Sequence, residues 1–154
     1  MELSDIISPD AVFAALKPNS KRQLLQELST HAANLTGVDE RGIFDTLLQR
    51  ERLGSTGVGN GVAIPHGKLK DFKKISGMFV KLEKPLDYEA LDDQPVDIVF
   101  MLLAPEGSGA DHLKALSRIA RLLRNQSMLA HLREASDPEA IYSMICEAEK
   151  ANAA

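Results

Sequence analysis

The residue best placed for chemistry is His66, which follows a short apolar segment and a proline. Residues 61–67 have the sequence Gly-Val-Ala-Ile-Pro-His-Gly, in which a strand ends at Ile64, Pro65 stiffens the backbone and glycines keep bulk away. An imidazole, with an ordinary pKa of about 6.5, is largely neutral at pH 7 and is a nucleophile without a separate base. The segment therefore presents His66 as a candidate nucleophile. A histidine that only forms a hydrogen bond within a turn is the structural alternative.

Two other side chains could stabilise an anion held at His66. Arg50 lies shortly before the glycine-rich stretch, and a guanidinium group suits phosphate oxygens. His112 is predicted at the start of a helix over 111–124, with Asp111 as its N-cap, where an imidazole could donate a hydrogen bond to an anion. The alternatives are a solvated helix surface for Arg50 and simple exposure for His112. Asp111 would add negative charge close to the same place.

A dense group of glycines precedes His66, since residues 54–61 hold four of the ten glycines in the chain. Such a stretch cannot continue a helix, so we expect a tight loop whose backbone amides are free to bind an anion. The candidate phosphate-binding residues are Ser55, Thr56, Gly57, Gly59, Asn60, Gly61 and Gly67. Nucleotide motifs do not fit, because the spacing from Gly61 to Gly67 is one residue too long for a P-loop, and Val62 takes the last glycine position of a dinucleotide fingerprint.

The remaining polar candidates are better explained as structure. His31 lies on the apolar face of one predicted helix, His131 on a short amphipathic helix, and Cys146 beside a buried helical stripe. Asp92 and Asp93 precede Gln-Pro and indicate a turn rather than metal ligands. The net charge of −4 argues against nucleic-acid binding, and one cysteine cannot form an internal disulfide or a cysteine-pair zinc site. We expect no metal and no bound cofactor.

Length and composition indicate one domain over 1–154. The chain has 154 residues, of which 44% are hydrophobic and 26% charged, as in ordinary globular proteins. Its first residues lack the basic and apolar regions of a secretory signal, and the longest apolar run, 98–104, is too short to cross a bilayer. We expect no membrane insertion and a cytoplasmic location.

Hydrophobic periodicity predicts helices in the first and last thirds of the chain and strands between them. The predicted helices run from Ser8 to about Pro18, from Ser20 to Gly37, and over 41–52, 111–124, 127–133 and 137–148; the predicted strands are 62–64, 75–82 and 98–103. Ser127 is the expected cap of the helix over 127–133, and Leu113, Leu116, Ala120 and Leu123 form the expected apolar stripe of the helix over 111–124. This order indicates an α/β domain with helices on both faces of a small sheet.

Residues 48–69 resemble a known family. Their sequence, LQRERLGSTGVGNGVAIPHGKL, is similar to that of the IIA components of the bacterial phosphotransferase system, of the mannitol/fructose type and nearest to the nitrogen-regulatory IIA branch. Residues 94–97, the strand after them and His112 at the head of a leucine-rich helix continue the resemblance, which covers roughly residues 10–148. It implies a single-domain α/β fold with a small mixed sheet flanked by helices on both faces.

The resemblance also implies roles for three residues. His66 would be the phosphorylated residue, His112 a second active-site histidine beside it, and Arg50 the arginine that offsets charge. The phosphoryl group would come from an HPr-like carrier, itself charged by an enzyme I-type kinase that uses phosphoenolpyruvate. Asp111, before His112, departs from the family pattern.

No IIB or membrane segment accompanies the domain, which favours a regulatory protein that binds target proteins according to its phosphorylation state. Two alternatives remain open. One is the IIA subunit of a sugar permease, which passes its phosphoryl group to a IIB domain. The other is a protein-binding module in which His66 is never modified.

Overall fold

The computed structural model of the chain describes residues 2–153 and consists of a mixed sheet with five helices. The helices are α1 (Lys21–Thr36), α2 (Glu40–Arg52), α3 (Gly109–Leu123), α4 (Gln126–Glu134) and α5 (Pro138–Ala153). The strands are β1 (Val12–Leu16), β2 (Gly57–Gly59), β3 (Val62–Ala63), β4 (His66–Leu69), β5 (Ser76–Leu86) and β6 (Val96–Pro105). Short 3-10 turns lie at Leu3–Asp5 and Pro9–Ala11.

The sheet is mixed, and β6 is its central strand. The strand order is β1-β5-β6-β3-β2, and β4 also pairs with β6. β5 is antiparallel to β6, whereas β3 and β4 both run parallel to it, with Ala63 opposite Val99 and His66 opposite Leu102. β3 and β4 therefore form one line beside β6 that is interrupted at Ile64 and Pro65. This interruption lies directly before His66.

Both faces of the sheet are covered. Residues 98–104 of β6 are all buried, as expected for a strand that is packed on both sides. The hydrophobic core includes side chains from every helix and from the central strands. The expected α/β class, with a small mixed sheet flanked by helices, is confirmed.

The predicted first helix is wrong. Only Pro9–Ala11 forms a 3-10 turn, and Val12–Leu16 is a strand parallel to β5, with Val12 opposite Phe79. A five-residue apolar segment is compatible with either a strand or a buried helix, and pairing with a distant strand decides between them.

The predicted helix over 20–37 is confirmed at both ends. The side chain of Ser20 accepts a hydrogen bond from the Gln23 amide, and Gly37 ends the helix in a left-handed conformation at φ 75°. The two later caps are wrong. Ser108, not Asp111, precedes α3, and Asn125, not Ser127, caps α4 by accepting from the amide of Met128.

The buried face of α3 is also offset from the predicted stripe by one residue. Leu113 is 69% exposed, whereas the buried positions are His112, Ala115, Ile119, Leu122 and Leu123. The alternative of simple exposure for His112 is therefore excluded. Its ring lies on the face that α3 turns toward the rest of the protein.

Candidate active site

His66 is the first residue of β4, directly after the predicted strand end at Ile64 and the intervening Pro65. Its Nδ1 lies 2.8 Å from the carbonyl oxygen of Ile64. A carbonyl oxygen can only accept, so Nδ1 carries the proton and donates it. In a neutral imidazole the other nitrogen, Nε2, then holds the free lone pair. The local backbone thus leaves Nε2 as the ring nitrogen that carries the lone pair.

Arg50 reaches His66 from the last turn of α2. Its Nε donates to Nε2 of His66 at 3.3 Å, and its Nη1 donates to the carbonyl of Gly54 at 2.8 Å. This reach depends on close packing of α2 on β4, where a Cβ on Gly67 would lie 2.4 Å from the Thr46 methyl group. Gly67 is therefore required by the approach of the helix. The presence of a glycine at position 67 is explained by this packing and does not require that its amide bind phosphate.

His112 lies against His66 from the first turn of α3. The two ring centroids are 5.7 Å apart and the rings meet edge to face at 60°. His112 is only 6% exposed. Its Nε2 is buried and has no hydrogen-bond partner, one of two such side-chain atoms among the described residues. A buried polar atom without a partner costs free energy, so this nitrogen is suited to a ligand that arrives later.

The electrostatics keep both imidazoles neutral near pH 7. Burial lowers the pKa of His66, and the charge of Arg50 lowers it further, against the raising effects of the Ile64 carbonyl and Glu51. Burial also lowers the pKa of His112, helped by the charges of His66 and Lys68. Asp111 is exposed. The site is therefore a pair of neutral imidazoles beside an arginine.

The glycine-rich stretch is a β-hairpin rather than an open amide cradle. β2 and β3 pair antiparallel, and the turn between them contains Asn60 and Gly61 at positive φ. Three of its amides already have partners: those of Thr56, Gly57 and Asn60 donate to Glu51, Ser55 and Asp92. The expectation of free amides in this segment therefore fails at these three positions, because side chains within and beyond the loop bind them.

Gly61 has a packing role in this hairpin. Its φ is +80°, and a Cβ there would lie 2.4 Å from the guanidinium of Arg133 and 2.9 Å from Asp97. Arg133 and Asp97 form an ion pair at 2.9 Å, and Arg133 also donates to the carbonyl of Asn60 at 2.7 Å. This contact fixes the turn to the body of the protein. The side chain of Ser55 accepts a hydrogen bond from the Gly57 amide at 3.1 Å. Gly59 lies opposite Val62 in the pairing of β2 with β3.

Comparison with known proteins agrees with this architecture. The family described as "Phosphoenolpyruvate-dependent sugar phosphotransferase system, EIIA 2" matches residues 5–148. The chain belongs to this family. A "Nitrogen regulatory protein" of Bradyrhizobium diazoefficiens is 59% identical over 94% of this chain and 95% of its own length.

Further relatives come from both branches of the family. A fructose-specific EIIA component of Haloferax volcanii is 32% identical over 96% of this chain and 98% of its own length. The crystal structure of the nitrogen regulatory protein IIA-Ntr from Neisseria meningitidis superposes with a TM-score of 0.88 and 31% identity, covering 93% of this chain and 98% of that chain. The family resemblance expected from residues 48–69 is confirmed.

The other sequence candidates lie away from His66. His31 stacks on Phe13 with ring centroids 4.1 Å apart, and His131 is exposed. Cys146 is half-buried in α5. Within residues 2–151 no group of three or more His, Cys, Asp or Glu side chains is arranged to hold a metal ion. No helix in the described part of the chain is both long and apolar enough to cross a membrane.

Sequence reasoning missed Glu51, the residue after Arg50. It is 8% exposed although it is charged. The signal was present, because Ile43, Leu47 and Glu51 recur at four-residue steps and share the buried face of α2. A carboxylate on that face must have partners within the protein.

Proposed function

We propose that the protein is a phosphohistidine carrier in which Nε2 of His66 takes the phosphoryl group. The observation that carries this proposal is the hydrogen bond from Nδ1 of His66 to the Ile64 carbonyl, 2.8 Å long, which leaves the lone pair on Nε2. The same nitrogen is within reach of a guanidinium, and the ring of His66 lies 5.7 Å, centre to centre, from that of His112, whose Nε2 is buried without a partner. Family membership supports the proposal, since the family is defined by phosphoryl transfer from phosphoenolpyruvate.

The proposed step moves one phosphoryl group between two proteins. The lone pair of Nε2 forms a bond to phosphorus while the bond from phosphorus to the donor breaks, and the donor keeps that electron pair. The proton on Nδ1 stays in place, so the imidazole ring becomes positive as the new bond forms. The Ile64 carbonyl accepts the Nδ1–H hydrogen bond and stabilises that charge.

Arg50 and His112 would stabilise the incoming phosphoryl oxygens. Arg50 now donates to Nε2 itself, so it must swing its Nε–H from the nitrogen to a phosphoryl oxygen during transfer. His112 holds a buried Nε2 without a partner. Carrying its proton on Nε2, His112 would donate to a second oxygen. Positioning and charge stabilisation supply most of what phosphoryl transfer requires.

We further propose a regulatory, cytoplasmic role, with an HPr-like phosphocarrier as donor and target proteins as readers of the phosphorylation state. The support is the 59% identity with a nitrogen regulatory protein that the chain matches over 95% of its length. The IIA subunit of a sugar permease is the second candidate. It is supported by the fructose-specific EIIA component of Haloferax volcanii, which is also matched over nearly its full length.

The first experiment is intact-mass analysis after incubation with phosphoenolpyruvate, enzyme I and an HPr-like carrier. The wild-type chain should gain about 80 Da, the mass of one phosphoryl group, and His66→Ala should gain nothing. His131→Ala is a matched control, since His131 is exposed and lies in α4 rather than near β4. A folded His66→Ala protein that still gains the mass would refute the assignment.

A second incubation separates the two branches. The phosphorylated chain is mixed with a fructose-type IIB domain, and loss of its added mass is followed with time. A regulatory protein should retain the phosphoryl group, whereas a permease subunit should transfer it rapidly.

A further inference from the structure

Glu51 is the centre of a buried polar cluster that has no part in the proposed chemistry. Its carboxylate accepts from the amide of Thr56 at 3.2 Å, from the hydroxyl of Thr56, and from the hydroxyl of Tyr88 at 2.8 Å. Lys21 adds an ion pair at 2.7 Å. A buried carboxylate is costly unless it is paired and fully hydrogen-bonded, and this one has four donors.

The partners of Glu51 are themselves held in place. Tyr88 is fully buried, and the ammonium of Lys21 lies 4.6 Å from the centre of its ring. Burial and the charge of Glu51 raise the pKa of Tyr88 well above its ordinary value, so its hydroxyl remains a proton donor. The Thr56 and Tyr88 hydroxyls are also 2.9 Å apart. Thr56 is therefore fixed through both its side chain and its backbone.

A short series of hydrogen bonds connects this cluster to His66. The carbonyl of Thr56 accepts from the amide of Ile64 at 2.9 Å. The carbonyl of the same residue, Ile64, accepts from Nδ1 of His66 at 2.8 Å. Glu51 thus fixes the position of Thr56, Thr56 fixes the backbone of Ile64, and the Ile64 carbonyl fixes the orientation of the imidazole.

A second connection reaches the other side of the ring. Arg50 precedes Glu51 in α2 and donates to the carbonyl of Gly54 as well as to Nε2 of His66. The amide of Gly54 in turn donates to the backbone carbonyl of Glu51 at 3.1 Å. The two groups that contact the His66 ring nitrogens are the Arg50 guanidinium and the Ile64 carbonyl. Both are therefore connected to Glu51 by short series of bonds.

We propose that Glu51 and Thr56 are positioning residues, which hold the Ile64 carbonyl where it selects the Nδ1–H tautomer of His66 and so leaves Nε2 unprotonated. Neither residue touches the phosphoryl group. The tautomer part of the inference stands by itself, whereas its effect on transfer rate rests on the proposed function. A proton on Nε2 would block attack, so the wrong tautomer is an inactive form.

The test is to record imidazole nitrogen and proton resonances of the unphosphorylated full-length chain by NMR. In the wild type, His66 should show the spectrum of a single Nδ1–H tautomer. Thr56→Val removes the hydroxyl with little change of shape, and His66 should then become a mixture of the two tautomers. Thr56→Ser keeps the hydroxyl and should restore the wild-type spectrum.

Glu51→Gln tests the carboxylate directly, and it should shift His66 in the same direction as Thr56→Val. Transfer from the phosphorylated carrier should slow about 2- to 10-fold in Thr56→Val. This range follows from weakening one neutral hydrogen bond, the one from Nδ1 of His66 to the Ile64 carbonyl. Arg133→Lys is the matched control. It disturbs an ion pair at the other end of the same hairpin, 2.9 Å from Asp97, and should leave the His66 tautomer unchanged.

Thermal melts of every variant separate a folded from an unfolded protein, and Glu51→Gln keeps the test available if Thr56→Val does not fold. A folded Thr56→Val or Glu51→Gln with the wild-type His66 spectrum would overturn the inference. An equal tautomer shift in Arg133→Lys would also overturn it, because any loosening of the hairpin would then suffice. These outcomes do not depend on phosphorylation, so failure of the proposed function would be seen separately.

Discussion

Replacing His112 by leucine should slow phosphoryl transfer without destabilising the protein. His112 is 6% exposed, and its Nε2 is buried without a partner. In the unphosphorylated protein this atom contributes no hydrogen bond and carries a desolvation cost of about 1–3 kcal/mol. Leucine fills similar space without that polar atom. We therefore expect the free energy of unfolding to be unchanged or to rise by about 1 kcal/mol, which is about 2–4 °C in melting temperature for a chain of this size.

Although the free energy of unfolding should not fall, the rate of phosphoryl transfer should fall. If His112 donates one hydrogen bond to the charged phosphoryl group, its loss costs about 1.5–3 kcal/mol. At about 1.4 kcal/mol for each factor of ten, transfer to His66 should slow about 10- to 150-fold. His112→Ala should slow transfer similarly but should also destabilise the fold, because it leaves a cavity.

The assay is single-turnover transfer from the phosphorylated carrier, followed by intact mass, with thermal melts on the same samples. His112→Gln is the matched partner of His112→Leu, since it keeps a donor at similar size and should recover part of the rate. Wild-type transfer by His112→Leu would refute the two-histidine site. A folded but completely inactive His112→Leu would make His112 a residue that takes the phosphoryl group itself.

Three further predictions concern the phosphoryl group and its acceptor. The added phosphate should be lost in acid and survive alkali, as expected for a phosphoramidate, whereas phosphate that survives acid would indicate Ser55 or Thr56. Arg50→Ala should raise the pKa of His66 in an NMR titration, because the charge of Arg50 lowers it, and should slow transfer about 10- to 150-fold through loss of a charged hydrogen bond. The pKa values of His66 and His112 are both lowered, so transfer should persist as pH falls below about 6.5. Stability should decline over that same window, because the unfolded chain binds protons that the native imidazoles exclude; denaturant unfolding at several pH values measures this, and a flat profile would contradict it.

Local signals predicted α1 and α2 well. The cap at Ser20, the left-handed end at Gly37 and the apolar face of α2 are all determined by residues close in sequence. The apolar run of β6 is long enough to identify a buried central strand. These elements are specified by contacts within one turn or by simple burial, which sequence patterns describe directly.

The failures occur where distant residues decide the local structure. The strand nature of Val12–Leu16 depends on pairing with β5, more than sixty residues later in the chain. The burial of His112 depends on where α3 begins, and Ser108 is an inconspicuous start because its side chain makes no capping bond to the helix. A one-residue offset on a helix turns a side chain by about 100°, since a turn has 3.6 residues. This offset moves the buried face of α3 from Leu113 to His112.

The glycine-rich stretch lies beside His66, as the sequence suggested, but its glycines are explained by close packing rather than by amides that bind an anion. The sequence suggested amides that bind phosphate, but Gly61 is required by the approach of Arg133 and Gly67 by the approach of Thr46 in α2. The Gly67 contact allows α2 to pack closely on β4, where Arg50 reaches Nε2 of His66. Stabilisation of a phosphoryl group would then come mainly from the side chains of Arg50 and His112. Glycines at these positions act indirectly, by allowing the helix and the turn to come close enough for those side chains to meet.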